Sequence, residues 1–210
     1  MSQFLAPIHT WLFDKIVLME SIEKEIVNQY SDSKYQNAHA KLVQKYGDFI
    51  PNQPLEQLID QSNIHGWLQE RITIGETRQA AFIKVLMDDE PKVVEQIALI
   101  YQEAGKRAQR EMDVHAKEPQ EAFRLLGDVL LEGMPCDRVN AVQEQTEDHI
   151  IWITSTCVHQ HNWEEAGVEV SNYYLFREAF TRGFIEALNP EMSYRYTNGE
   201  QQLHQINKIK

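Results

Sequence analysis

Arg138 to Val158 reads RVNAVQEQTEDHIIWITSTCV. Two β-rich runs, Arg138 to Gln145 (with Val139 and Val142) and His149 to Val158 (with Ile150, Ile151, Trp152 and Ile153), flank the polar Thr146-Glu147-Asp148. That pattern predicts a β-hairpin turning on the three polar residues. Further along, Ser171 to Leu188 sets Tyr174, Leu175, Phe180, Phe184 and Leu188 at helical spacing until Asn189-Pro190 stops it. Met192 to Thr197 and Glu200 to Ile209 then bracket Asn198-Gly199, the strongest short-range signal for a hairpin. The tail therefore reads hairpin, helix, hairpin, with both hairpins in one antiparallel sheet and the helix on one of its faces.

Upstream of Cys136 the period is helical. Pro7 to Tyr30 carries Ile8, Trp11, Leu12, Ile16, Met19, Ile22 and Ile26, with Pro7 in the first turn. Lys34 to Tyr46 is a shorter helix capped by Gly47, and Asn63 caps a helix from Ile64 to Met87. Pro91 to Ala116 reads as the next helix. Pro119 opens another that Gly133 and Pro135 end. The fold class is α+β: residues 1–90 form a helical region, and 91–210 form an α+β small-molecule-binding domain.

At 210 residues the chain can bury a core without staples. Its net charge of −12 argues against nucleic acid and anionic membranes as partners, because like charge repels phosphate. Cys136 and Cys157 are too few for a disulfide framework and suit a reducing, cytoplasmic compartment. No Walker loop, dinucleotide glycine fingerprint or G-x-S-x-G elbow is present, which disfavours nucleotide chemistry and serine hydrolysis.

Ile8-His9-Thr10-Trp11-Leu12 recurs as Ile64-His65-Gly66-Trp67-Leu68, and the match continues through Ile16 with Ile72 and Glu20 with Glu76. This is an internal duplication of a helix. His9 and Glu20 are 11 residues apart, as are His65 and Glu76. Three helical turns put each pair on one face, separated by roughly 16 Å. If the copies pack antiparallel, His9 meets Glu76 and His65 meets Glu20. Such contacts are either structural or parts of a divalent metal site for zinc, iron or manganese.

Cys157-Val158-His159-Gln160-His161 is the densest group of reactive side chains. In a strand, Cys157, His159 and His161 share a face, as metal ligands or as a thiol with an imidazole base. A buried thiol followed by two loop histidines is the plainer alternative. In the last hairpin a two-residue turn pairs Thr197 with Glu200, Arg195 with Gln202 and Ser193 with His204. Ser193, Arg195, Gln202 and His204 then share a face, which is either suited to a small anionic ligand or an ordinary solvated sheet face. A pocket between the sheet and the helical half, with Cys157, His159, Arg195 and His204 facing inward, is the expected site.

Ile97 to Lys210 resembles the L-2-amino-thiazoline-4-carboxylic acid hydrolase-like family, and more distantly the vinyl-4-reductase domain group. The likeness runs through Tyr101-Gln102-Glu103-Ala104-Gly105, Glu147-Asp148, Ile151 to Cys157, Trp163 to Gly167, Tyr173-Tyr174, Ala187-Leu188-Asn189-Pro190, and Asn198-Gly199 with His204. It implies hydrolysis of a C–N bond in a small cyclic amidine or amide, with Cys157 and His204 catalytic and Tyr174 among the ligand-binding residues. Of three family cysteine positions this chain keeps Cys157. The second falls near Tyr173 or Tyr174 and the third near Gln202. The other functional reading is a non-catalytic metal- or small-ligand-binding sensor. A homodimer is compatible with either.

Overall fold

The computed structural model describes residues 5–199 and 201–209. Its helices are α1 (Pro7–Gln29), α2 (Ser33–Tyr46), α3 (Leu55–Leu58), α4 (Ile64–Asp89), α5 (Val93–Met112), α6 (Pro119–Val129), α7 (Gln160–Glu165) and α8 (Val170–Leu188). Its strands are β1 (Asn140–Gln145), β2 (His149–Thr154), β3 (Met192–Asn198) and β4 (Gln202–Lys208). The protein is α+β, helical through its amino-terminal half. Among the described residues no helix is long and apolar enough to cross a membrane. The chain divides into two compact units, Met1–Val93 with His159–Val170, and Val94–Val158 with Ser171–Lys210.

The first unit is helical, and its ends are set locally. Pro7 occupies the first turn of α1. Asp32 accepts from Lys34 N at 2.8 Å to start α2, and Asn63 accepts from Gly66 N at 3.1 Å to start α4. Gly47 ends α2 at φ 128°, a conformation open to glycine. The duplicated helices α1 and α4 pack on each other, as the repeated string implies. They run in the same direction, not antiparallel. His9 meets His65, the Phe13 ring lies 6.3 Å from Trp67, and Met19 Cε fills the space a Cβ on Gly75 would take. The cause is the connection: α2 packs against α4 and α1, its end at Gly47 reaches Arg78 and Ile50 reaches Glu20, and the segment up to Asn63 completes the return to the end where α1 began. Equivalent positions therefore face each other.

The second unit is built on the sheet, in the order β1-β2-β4-β3, antiparallel throughout. The first hairpin forms as expected, with a register shift between Val142 and Glu144 that leaves Gln143 bulged. One face buries Ile150, Trp152, Met192, Tyr194, His204 and Ile206. Phe123 of α6 packs on Trp152, with ring centres 4.7 Å apart. Helices α5 and α8 cross where each offers a glycine: a Cβ on Gly105 would lie 2.1 Å from Phe180 O, and one on Gly183 2.1 Å from Gln102 O.

Three sequence expectations need correction. The last hairpin pairs Asn198 with Gln202, Tyr196 with His204 and Tyr194 with Ile206. Its loop is three residues, one longer than a two-residue Asn-Gly turn, and Glu200, once matched with Thr197, lies outside the described residues. The change in register is an odd number of residues, so His204 moves to the face of Tyr194 and Tyr196, away from Ser193 and Arg195. Next, β2 ends at Thr154 and α7 starts at Gln160, so Cys157, His159 and His161 do not share a strand face. Finally, α6 stops at Val129, before Gly133, and Pro91 lies in the turn ahead of α5.

Candidate functional site

A buried cluster in the second unit gathers polar side chains from α8, the sheet and the segment after α6. Arg177 sits on the inward stripe of α8 with Tyr174, Phe180 and Phe184, all buried. Its Nε donates to Glu132 Oε1 and its Nη1 to His204 Nδ1 at 3.3 Å. A guanidinium only donates, so His204 Nδ1 carries a lone pair and Nε2 carries the hydrogen. That Nε2–H donates to Thr154 Oγ1 at 3.0 Å. Thr154 in turn donates to Asn140 Oδ1 at 3.3 Å, and Asn140 Nδ2 donates to Glu132 at 3.4 Å. The five side chains close a ring in which every donor faces an acceptor. Tyr194 Oη adds a second bond to His204 Nδ1 at 2.8 Å.

The electrostatics follow from this arrangement. Burial, then the Arg177 charge, push His204 down to about 2, so the imidazole is neutral. Burial works against the charge on Arg177, but Glu132 more than offsets it and holds the guanidinium above its usual value. Burial raises Tyr194, with Arg177 opposing, and raises Tyr196 in the same way. Tyr174 is raised by burial and then by the Cys157 thiol beside it. The half-buried Cys157 sulfur lies next to that phenol, although the two make no well-formed hydrogen bond.

Around the ring several buried polar atoms have no partner: Arg177 Nη2, Tyr174 Oη, Tyr196 Oη and Gln202 Oε1. They belong to one neighbourhood. Tyr196 stacks on His204 at 5.0 Å and on Tyr174 at 6.4 Å between ring centres, and Gln202 shares the His204 face of β4. An open cleft of about 450 Å³ runs between α8 and β3, with Tyr194 and Tyr196 on its wall.

Of the residues singled out from sequence, His204, Tyr174, Gln202 and Cys157 belong to this neighbourhood. Ser193 and Arg195 lie on the opposite face of β3; Arg195 is exposed and lines the outer cleft. Neither His204 nitrogen bonds Cys157, since both are taken up by the ring and Tyr194. His159 belongs to the first unit, where it bonds Glu76 at 2.7 Å while Asn162 bonds the other oxygen at 2.9 Å. His161 is exposed on α7, 3.8 Å from Glu165. Glu20 is held by Arg78 at 3.2 Å and by Ile50 N at 2.8 Å. The expected His9–Glu76 and His65–Glu20 contacts are thus replaced by His9–His65, Glu76–His159 and Glu20–Arg78, because α1 and α4 run parallel. Among the described residues no group of three or more His, Cys, Asp or Glu is placed to hold a metal ion.

Sequence reasoning missed Arg177, Glu132, Tyr194, Tyr196, Thr154 and Asn140 as site residues. The usable signal was Arg177 itself, a cation three residues after Tyr174 and three before Phe180 on an otherwise apolar stripe. Comparison of the chain with known families, with curated proteins and with solved structures returned no match.

Proposed function

We propose that the second unit binds a small polar molecule, a carboxylate that also carries an N–H group, against Arg177, Tyr174, Tyr196 and Gln202. The observation that carries this reading is the set of buried polar atoms left without partners around a ring that is otherwise satisfied. An unpaired buried donor costs about 1–3 kcal/mol, and a ligand that supplies the partner recovers it. Arg177 Nη2 and the two tyrosine hydroxyls suit carboxylate oxygens, and Gln202 Oε1 suits an N–H. The resemblance to the aminothiazoline-carboxylate hydrolase-like family agrees with this ligand class.

Catalysis is the second reading, favoured by the Cys157 thiol beside the neighbourhood. It treats Cys157 as the nucleophile in water-driven opening of a cyclic amidine C–N bond. The surroundings of His204 stand against it as the base, because burial and the Arg177 charge hold its proton affinity far down and both nitrogens are engaged. His204 is then a positioning residue for Arg177.

Native mass spectrometry of the purified chain, followed by thermal-shift titration with 2-aminothiazoline-4-carboxylate and related cyclic amidine carboxylates, tests both readings. Binding without turnover supports the first. Turnover that Cys157→Ala abolishes supports the second. No stabilisation by any such carboxylate, together with no bound small molecule, overturns both.

A further inference from the structure

At the start of the duplicated helices the two matched histidines face one another. His9 Nε2 and His65 Nε2 are 3.2 Å apart, with ring centres 5.3 Å apart and planes at 58°. Between two neutral imidazoles that contact needs one Nε2 protonated and the other bare. A metal ion replaces the shared proton and leaves both nitrogens as ligands. Two zinc–nitrogen bonds of about 2.0–2.1 Å at a tetrahedral angle span roughly 3.3–3.4 Å, close to the separation already present.

We propose that His9 and His65 form a clamp for a divalent transition ion, zinc, nickel or copper, that ties the start of α1 to the start of α4. The chemistry is borderline-soft imidazole nitrogen, which suits these ions and not calcium or magnesium. His65 is exposed and His9 half-buried, so solvent can fill the other coordination positions. His9 Nδ1 is buried without a partner, a nitrogen that keeps its hydrogen when Nε2 ligates. It lacks the second hydrogen bond that usually strengthens a histidine ligand. The site is therefore open and exchangeable, unlike a closed structural centre. The duplication accounts for its symmetry: parallel packing of two copies brings the same residue to the interface twice.

The test is titration of the full chain with copper(II), then with zinc(II) and nickel(II). It is read by calorimetry, by quenching of tryptophan fluorescence from Trp67 and Trp11, and by nitrogen hyperfine structure in the copper EPR spectrum. The variants are His9→Gln and His65→Gln, at positions that circular dichroism will report as folded, with His161→Gln as the exposed-histidine control. The expected result is one site per chain, copper bound more tightly than nickel or zinc, coupling to two nitrogens, loss of that site in either clamp variant, and no change in His161→Gln. Binding that survives in both clamp variants, several weak sites of equal strength, or no binding of any of the three ions overturns the proposal.

Discussion

Arg177 donates Nη1 to His204 Nδ1 across 3.3 Å, and because a guanidinium only donates, this bond fixes the imidazole tautomer with Nδ1 bare. A bare Nδ1 facing a fixed cation cannot take up a proton without expelling the guanidinium.

A pH dependence follows. His204 falls from the ordinary 6.5 to about 2 in the folded protein, because of burial and then the Arg177 charge. Below pH 6.5 the unfolded chain takes up a proton at this residue that the folded chain refuses. Its contribution to stability is complete above pH 6.5 and is lost as pH falls toward 2. The slope approaches about 1.4 kcal/mol per pH unit. Denaturant unfolding at pH 7, 5.5 and 4.5 should show this slope in the wild type and a shallower one in His204→Gln. Equal slopes would mean that the imidazole titrates in the folded state.

The first unit buries a different charge cluster. Arg78 grips Glu23 through Nε at 2.9 Å and Nη2 at 2.8 Å, and its Nη1 donates to Gly47 O at 2.8 Å. The second partner of Glu23 is His39 Nε2 at 2.8 Å. Burial raises the Glu20 carboxyl, although Ile50 N and Arg78 oppose it. Arg78→Met leaves Glu20 and Glu23 buried with no cation between them. The expected loss is about 3–5 kcal/mol in urea unfolding. Adding Glu23→Gln removes one stranded charge and keeps an acceptor for His39. That double variant should recover part of the loss, and strict additivity of the two substitutions would contradict the network.

Two pairs of backbones decide how α5 and α8 approach. A methyl on Gly105 or Gly183 would lie 2.1 Å from a backbone oxygen of the other helix, which cannot move aside as a side chain can. Gly127, exposed on the outer side of α6, has nothing within 4 Å of the same added atom. Gly105→Ala and Gly183→Ala should each cost about 1–3 kcal/mol or more. Gly127→Ala should stabilise by about 0.5–1 kcal/mol through helix propensity. Melting temperatures of the three variants separate steric fit from propensity.

The elements were largely readable because they depend on local chemistry. Pro7, Asn63 and Asn198-Gly199 act within a few residues of themselves, and the helices and hairpins lie where these residues indicate. Register and partnership were less readable because they depend on distant groups. One more residue in the Asn198-Gly199 loop sends His204 to the other face. The direction of α4 against α1 depends on the whole connection from α2 to Asn63 returning the chain, and the repeated Ile-His-x-Trp-Leu string does not encode that. Four of the ten residues of the candidate site were singled out from the sequence: His204, Gln202 and Cys157 by residue type and position, and Tyr174 through the family resemblance. Arg177 and Arg78 share one overlooked signature, a charged residue on an apolar helical stripe. Such a residue is buried only if another element brings its counter-charge.

The tyrosines of β3 separate a binding site from a structural one. Tyr194 Oη bonds His204 Nδ1 at 2.8 Å, whereas Tyr196 Oη, two residues along on the same face, is buried with no partner. Removing a bonded hydroxyl loses a hydrogen bond, so Tyr194→Phe should lower stability by about 1 kcal/mol. Removing an unpaired one lifts a desolvation cost while keeping the ring and its stacking on His204. Tyr196→Phe should therefore raise the stability of the free protein by up to about 1 kcal/mol. The same change should weaken binding of a small carboxylate, because the ligand loses the donor that the free protein left open. Unfolding curves of both variants with and without 2-aminothiazoline-4-carboxylate give the two signs independently. If Tyr196→Phe destabilises the free protein as Tyr194→Phe does, its hydroxyl is already bonded there. The open polar set around Arg177 then loses that member, and the case for a ligand at this site weakens with it.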